Sequence, residues 1–213
     1  MIDIHSHILP GLDDGAASLE EAIQMARLAV LDGITDIIAT PHTHNGINQN
    51  LLNKALESVR LLQRVIDSKK IPLKIYPGSE VHIHNELINN IRQNKIATLC
   101  NAHKYVLIEL PSFNIPIFTD KLLEQLLQLE YVPIIAHPER NLVIQENSSV
   151  LFNWVKRGIP AQITAGCLLG KWGRSLQRLS RTLIRNNCVQ LLASDGHNAH
   201  KRPSELHKAY RQL

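Results

Sequence analysis

The chain has no apolar run approaching the roughly 18 residues of a membrane-spanning helix. Met1 stands directly before the first strand-like segment, with no room for a leader peptide, so a cytoplasmic protein is expected. Aromatic residues make up only 4 %, too few to build stacking platforms for single-stranded nucleic acid. Neither G-x-G-x-x-G nor G-x-x-x-x-G-K-[ST] follows any strand-like run, which disfavours dinucleotide and nucleoside triphosphate sites. The basic residues are scattered and form no run of the kind that marks nucleic-acid or membrane binding, so the formal charge of +4 fits an anionic substrate. Cys100, Cys167 and Cys188 are an odd set with no C-x-x-C, which excludes a disulfide framework and a zinc knuckle. They are expected to be buried free thiols.

What is present is an ordinary globular composition: 213 residues, 44 % apolar and 20 % charged, enough to bury one sizeable core. Strands are expected at the His5 segment and over 34–40, 71–80, 104–110, 132–136, 159–164 and 189–194. Helices are expected from Ser18 to about Leu31 and over 51–68, 86–93, 119–129, 148–157 and 176–185, with a last one from Pro203. Ser18 with Glu21 reads as an N-terminal cap, and Gly33 ends that helix. Seven strands alternating with helices predict a parallel α/β sheet, because parallel neighbours need crossover connections. No repeat, linker or low-complexity stretch divides the chain, so residues 1–213 are expected to form a single domain.

The informative pattern is where the histidines and acids fall. His5 and His7 are two apart at the end of the first strand, a spacing that sends both imidazoles to one side, with Ile2 and Ile4 facing the other way. Asp14 lies in the loop that follows. His42, Glu80, Glu109, His137, Asp195 and His197 each stand at or just past the end of a later strand. In a parallel barrel those ends ring the face that carries the active site. A mixed nitrogen and oxygen set without thiolate suits manganese, iron or zinc better than copper(I) or an iron-sulfur cluster. Nine such groups are too many for one ion, and a cluster of two or three ions bridged by a carboxylate is the economical reading.

The blocks that carry these residues are Met1 through Gly15, Ala39-Thr-Pro-His42, Pro77-Gly-Ser-Glu80, Leu107-Ile-Glu-Leu-Pro111, Ala136-His-Pro-Glu-Arg140, Thr164-Ala-Gly166 and Ala193-Ser-Asp-Gly-His197. In this order they resemble the polymerase-and-histidinol-phosphatase (PHP) superfamily, and within it the manganese-dependent protein-tyrosine phosphatases of bacterial capsule and exopolysaccharide gene clusters. The resemblance covers residues 1 to about 203. It implies a distorted TIM-like (β/α)7 barrel and three manganese ions, with iron, zinc, cobalt or magnesium as substitutes. It also implies the ligands: His5, His7, Glu80 and Asp195 for the first ion, Glu80, Glu109 and His137 for the second, Asp14, His42 and His197 for the third. Arg140 and Arg202 match its phosphate-contacting arginines. The implied reaction is hydrolysis of phosphotyrosine by metal-activated hydroxide, and the implied partner is a bacterial tyrosine kinase of polysaccharide assembly.

A cysteine-dependent phosphatase is excluded, because Val106, Gly173 and Ser194 occupy the positions where the arginine of its signature would follow each cysteine. The enzymatic alternative is a PHP phosphoesterase acting on a small molecule such as histidinol phosphate. The non-enzymatic one is a metal-binding scaffold, which would require a missing ligand. Two departures from the family pattern stand out. Pro41-His42-Thr43-His44 replaces Pro-His-His-His, and the sequence stops at Leu213, where the closing helix is only beginning. Of the other histidines, His44 is the best placed to line the site. Trp172 could belong to a substrate-facing loop or to the packing.

Overall fold

The computed structural model describes residues 1–43 and 52–213. In chain order its elements are β1 (Ile2–Ser6), α1 (Leu19–Leu31), β2 (Asp36–Ala39), β3 (His42–Thr43), α2 (Leu52–Ser68), β4 (Lys74–Pro77), β5 (Glu80–His82), α3 (Leu87–Arg92) and β6 (Tyr105–Glu109). There follow α4 (Thr119–Gln128), β7 (Val132–Ala136), α5 (Leu142–Glu146), α6 (Ser149–Lys156), β8 (Ala161–Thr164), α7 (Ala165–Leu168), α8 (Arg174–Arg185), β9 (Leu191–Ala193) and α9 (His207–Tyr210). None of the described helices is long and apolar enough to cross a membrane.

Every described strand pair is parallel. The strands form two sheets, β1-β2-β4 and β3-β5-β6-β7-β8-β9. β2 and β3 are separated only by Thr40-Pro41, and β4 and β5 only by Gly78-Ser79, so two strand paths step from one sheet to the other. The expected strand over 71–80 is therefore broken, and Glu80 opens its second piece. The far edges also meet: Asp195 N donates to His5 O at 2.9 Å and His7 N to Gly196 O at 2.8 Å. Asp3 completes the seam, accepting from Ser194 N at 3.0 Å and Ser194 Oγ at 2.5 Å.

Three apolar groups hold the layers together. α1 and α2 cover the smaller sheet through Ala22, Met25, Ala29, Leu62 and Ile66, packed on Ile37, Ala39 and Ile75. α4 and α6 cover the larger through Leu122, Leu126, Leu151 and Trp154, packed on Val106, Ile108, Ile135 and Ile163. The third group comes from strands of both sheets: Ile38, Leu107, Ile134 and Ala136, with Ile4 and Leu191 against them. Ser18 caps α1 as its sequence predicts, its hydroxyl accepting from Glu21 N at 3.2 Å. The tail departs from expectation. Only His207–Tyr210 is helical, and its first free amides, Leu206 N and His207 N, are met by Asp32 Oδ2 at 2.5 and 2.8 Å. The proline at 203 and this remote cap delay the turn. Cys167 and Cys188 are buried free thiols, whereas Cys100 is free and exposed.

Candidate metal centre

The site starts at the end of β1. The loop 10–15 folds back on the strand, and Gly15 is required there because a Cβ would lie 2.1 Å from His7 O. That approach brings Asp13 under the His7 ring, where its Oδ2 accepts from Nδ1 at 2.7 Å. His5 is held likewise, its Nδ1 at 2.9 Å from Gln162 Oε1, and His197 Nδ1 stands 2.9 Å from Asp195 O. An imidazole whose Nδ1 donates carries its lone pair on Nε2. The Nε2 atoms of His5 and His7 are 3.2 Å apart, a spacing at which two lone pairs repel unless a cation or a proton lies between them.

The carboxylates close around these nitrogens. Glu80 is fully buried; His137 Nε2 lies 2.6 Å from its Oε1. Its Oε2 faces His5 Nε2 at 3.2 Å, His7 Nε2 at 3.3 Å and His42 Nδ1 at 3.0 Å, yet accepts no well-formed hydrogen bond. Asp195 Oδ1 is 3.5 Å from both His5 Nε2 and His7 Nε2. Asp14 Oδ1 is 3.5 Å from His42 Nε2 and from His197 Nε2. Glu109 Oε2 is 3.8 Å from His42 Nδ1. Among the described residues, four groups have potential ligand atoms within 4.8 Å of one another. They are His7, Asp14, His42 and His197; His5, Glu80 and His137; His5, His7 and Asp195; and His42, Glu80 and Glu109. All nine residues singled out from the sequence appear in these groups, and no other described residue does. A buried carboxylate oxygen surrounded by ring nitrogens, and hard oxygen donors mixed with imidazole, fit divalent cations of the manganese, iron and zinc kind.

The protonation balance is that of a cage for positive charge. Burial opposes ionisation of Glu80, but His5 and His137 outweigh it and hold its carboxyl well below the usual range. For Asp195, burial is outweighed by Arg140 and His5, with the same result. Burial resists a charge on His7, but the bonds to Asp13, Asp195 and Glu80 raise its pKa well above the ordinary value. His197 goes the other way: burial and the neighbouring His7 and Arg202 bring it down to about 2, so it is a neutral ligand-ready ring at any physiological pH. His137 and Asp195 both adopt left-handed backbone, with φ of 29° and 53°. Such strain in non-glycine residues concentrates at functional sites.

Arg140 and Arg202 lie on the other side of Asp195. Both guanidinium groups reach its Oδ2, Arg202 Nη2 at 2.8 Å and Arg140 Nη2 closer still. Both also stand by the Trp172 indole, 5.7 and 5.5 Å from its centre. Gly166 must lack a side chain here, since a Cβ would meet Trp172 Nε1 at 2.9 Å. Lys171 Nζ pairs with Glu205 Oε2 at 2.9 Å and ties this loop to the segment after β9. Sequence reasoning missed Asp13 and Gln162 as orienting groups. The signals were available: an acid adjacent to Asp14, and a lone glutamine inside an apolar strand. His82, His84, His103, His200 and His207 join none of the four groups, although His82 Nδ1 lies 3.2 Å from Glu109 Oε2. His44 lies outside the described residues.

A family model described as "Capsular polysaccharide synthesis, CpsB/CapC" matches residues 1–213. The chain is 42 % identical over 202 residues to the tyrosine-protein phosphatase YwqE of Bacillus subtilis, covering 95 % of this chain and 79 % of that one. It is 39 % identical over 210 residues to the putative tyrosine-protein phosphatase CapC of Staphylococcus aureus, covering 99 % and 82 %. A solved structure from work on YwqE of Bacillus subtilis and CpsB of Streptococcus pneumoniae, described as unique metal-dependent tyrosine phosphatases, superposes with a TM-score of 0.94. It is 40 % identical and covers 98 % of this chain and 84 % of its own.

Proposed function

The chain belongs to the CpsB/CapC family of capsular polysaccharide synthesis proteins, and from that premise we propose that it is a metal-dependent protein-tyrosine phosphatase. The observation that carries the reading is the convergence of nine imidazole and carboxylate groups, drawn from residues 5 to 197, on one cluster of overlapping ligand sets. The proposed cofactor is three manganese ions. His5, His7, Glu80 and Asp195 would hold the first, Glu80, Glu109 and His137 the second, and Asp14, His42 and His197 the third, with Glu80 shared. The contact groups overlap this partition without reproducing it: His7 joins the third set, His5 stands with Glu80 and His137, Glu109 groups with Glu80 and His42, and His5, His7 and Asp195 group without Glu80.

Bound divalent cations supply a water acidic enough to act as nucleophile near neutral pH and polarise the phosphoryl oxygens. The protein's own groups do the rest. Asp13 and Gln162 fix the His7 and His5 tautomers, so that the ligand nitrogens are aligned before substrate arrives. Arg140 and Arg202 present guanidinium forks to phosphoryl oxygens, where charge spreads in the transition state. The leaving phenolate of tyrosine, with a pKa of about 10, departs more readily than an alkoxide and makes little demand for a general acid.

The two sheets, stepped together at residues 40–41 and 78–79 and tied at the β1 and β9 edges, support a distorted TIM-like (β/α)7 barrel of the PHP kind, which we propose forms a single domain working in the cytoplasm. The physiological substrate we propose is the phosphorylated tyrosine kinase of the polysaccharide-assembly system. Hydrolysis of a phosphotyrosine peptide by metal-stripped protein, with and without added manganese and beside His137→Ala, tests the reading. Activity is expected only with metal and to fall sharply in the variant; activity that survives stripping overturns it. Histidinol phosphate assayed alongside should be hydrolysed poorly.

A further inference from the structure

Between Asn147 and Ser194 the chain contains no aspartate or glutamate, while Lys156, Arg157, Lys171, Arg174, Arg178, Arg181 and Arg185 all fall within that stretch. In sequence these cations look dispersed. α8 gathers four of them: positions 174, 178, 181 and 185 are spaced four, three and four apart, which places them in one line on a helix. All four are exposed, and the opposite face carries the buried Ser180 and Leu183. Like charges at these spacings repel and weaken a helix. No ion pair with a described carboxylate relieves them; Arg181 reaches only the Gln212 amide oxygen, at 3.3 Å. The line begins at the rim of the candidate centre, because Lys171 and Trp172, immediately before α8, line the cleft they share with Arg140, Asp195 and Arg202.

We propose that the arginine line on α8 is a docking surface for the acidic or further-phosphorylated peptide segment that flanks the scissile phosphotyrosine. The proposal rests on the phosphatase reading and deepens it by naming what surrounds the substrate tyrosine. Arginine suits the task, since each guanidinium fork takes a carboxylate or phosphate in bidentate fashion. From Arg174 to Arg185 the helix rises about 16 Å, which an extended peptide at about 3.3 Å per residue crosses in about five residues. A bilayer of anionic lipid calls for cations spread over a plane. A single line that ends at the pocket holding the phosphoryl-binding arginines matches an extended chain.

The experiment compares kcat and KM of the manganese-loaded protein on a phosphotyrosine peptide with neutral flanks, one with acidic flanks and one with a second phosphotyrosine, with para-nitrophenyl phosphate as a reference. The wild type is expected to prefer the anionic peptides by roughly tenfold through KM, a preference that fades with salt. The variants R178E/R181E and, as a milder pair, R178Q/R181Q should lose that preference while keeping kcat on the neutral peptide and on para-nitrophenyl phosphate. A wild type without preference, or variants that retain it, overturns the proposal. So does sedimentation with phosphatidylserine vesicles that depends on these arginines in the absence of any peptide preference, which assigns the line to a membrane surface. If the neutral peptide is not hydrolysed at all, the phosphatase reading fails, and fluorescence anisotropy of the same anionic peptides on wild type and variants still decides the docking surface.

Discussion

Replacing Asp13 with asparagine isolates the group that aims His7. The Asp13 side chain is 1 % exposed and acts only as an acceptor: Oδ2 takes His7 Nδ1 at 2.7 Å and His42 N at 2.8 Å, and Oδ1 takes Gly15 N at 2.9 Å. Asparagine offers one oxygen where aspartate has two, so in either orientation its amide N–H faces another N–H. If the oxygen stays toward His7, the Gly15 amide loses its partner and the loop loosens; if it turns, two donors at the centre are left unmet. Charge-assisted bonds of this kind contribute about 1.5–3 kcal/mol each, and loss of the carboxylate behind a metal-binding histidine lowers metal affinity about 10- to 100-fold. The unfolding free energy should fall by about 2–4 kcal/mol, which for a chain of this length lowers Tm by roughly 5–15 °C. Calorimetric titration of the stripped variant with manganese, alongside phosphatase assays across the metal concentration range, separates the two effects. Activity should return as manganese is raised, because the residue positions a ligand and touches no substrate. A variant that binds manganese as tightly as the wild type would refute the orienting role.

Three further changes probe other parts of the molecule. Trp172→Ala removes contacts with both arginines, worth about 0.5–1 kcal/mol each; kcat/KM on a phosphotyrosine peptide should drop by about 5- to 30-fold with metal binding unchanged, and an unaltered kcat/KM contradicts the role. Trp154→Phe loses the 2.8 Å bond from Nε1 to Asp120 and part of a buried side chain, so stability measured by urea unfolding should fall by about 1–3 kcal/mol without loss of activity. Burial pushes the Asp3 carboxyl up to about 6, against bonds from Ser194 and His5 that favour its charge. The folded protein then holds this proton at higher pH than the unfolded chain does, so the Asp3 contribution makes stability fall as pH rises from about 4 to about 6, by up to about 3 kcal/mol. Urea unfolding of wild type and Asp3→Asn at pH 4, 5, 6 and 7 should show the difference shifting in favour of the variant over that window; parallel curves count against the shift.

Much of the site was legible because its chemistry is local. His-x-His at a strand end, and acids or histidines after successive strands, carry their meaning in spacing alone, and the alternation of strands and helices is enough to require parallel pairing. The Ser18 cap and α1 were readable for the same reason. The strand over 71–80 was not, because its break at Gly78-Ser79 answers to the neighbouring strand paths and not to local propensity. The last helix was expected from Pro203 but begins only at His207, because the carboxylate that meets its first amides comes from Asp32, far away in sequence.

The alternation of strands with helices and the identity of the nine candidate ligands were thus decided by sequence, through residue type and period. Which groups share a cluster, that Asp13 and Gln162 aim the rings, that one indole serves two arginines, and that scattered arginines become a line were decided only by folding. Distances between side chains far apart in the chain depend on how sheets step and close, and no local pattern contains them.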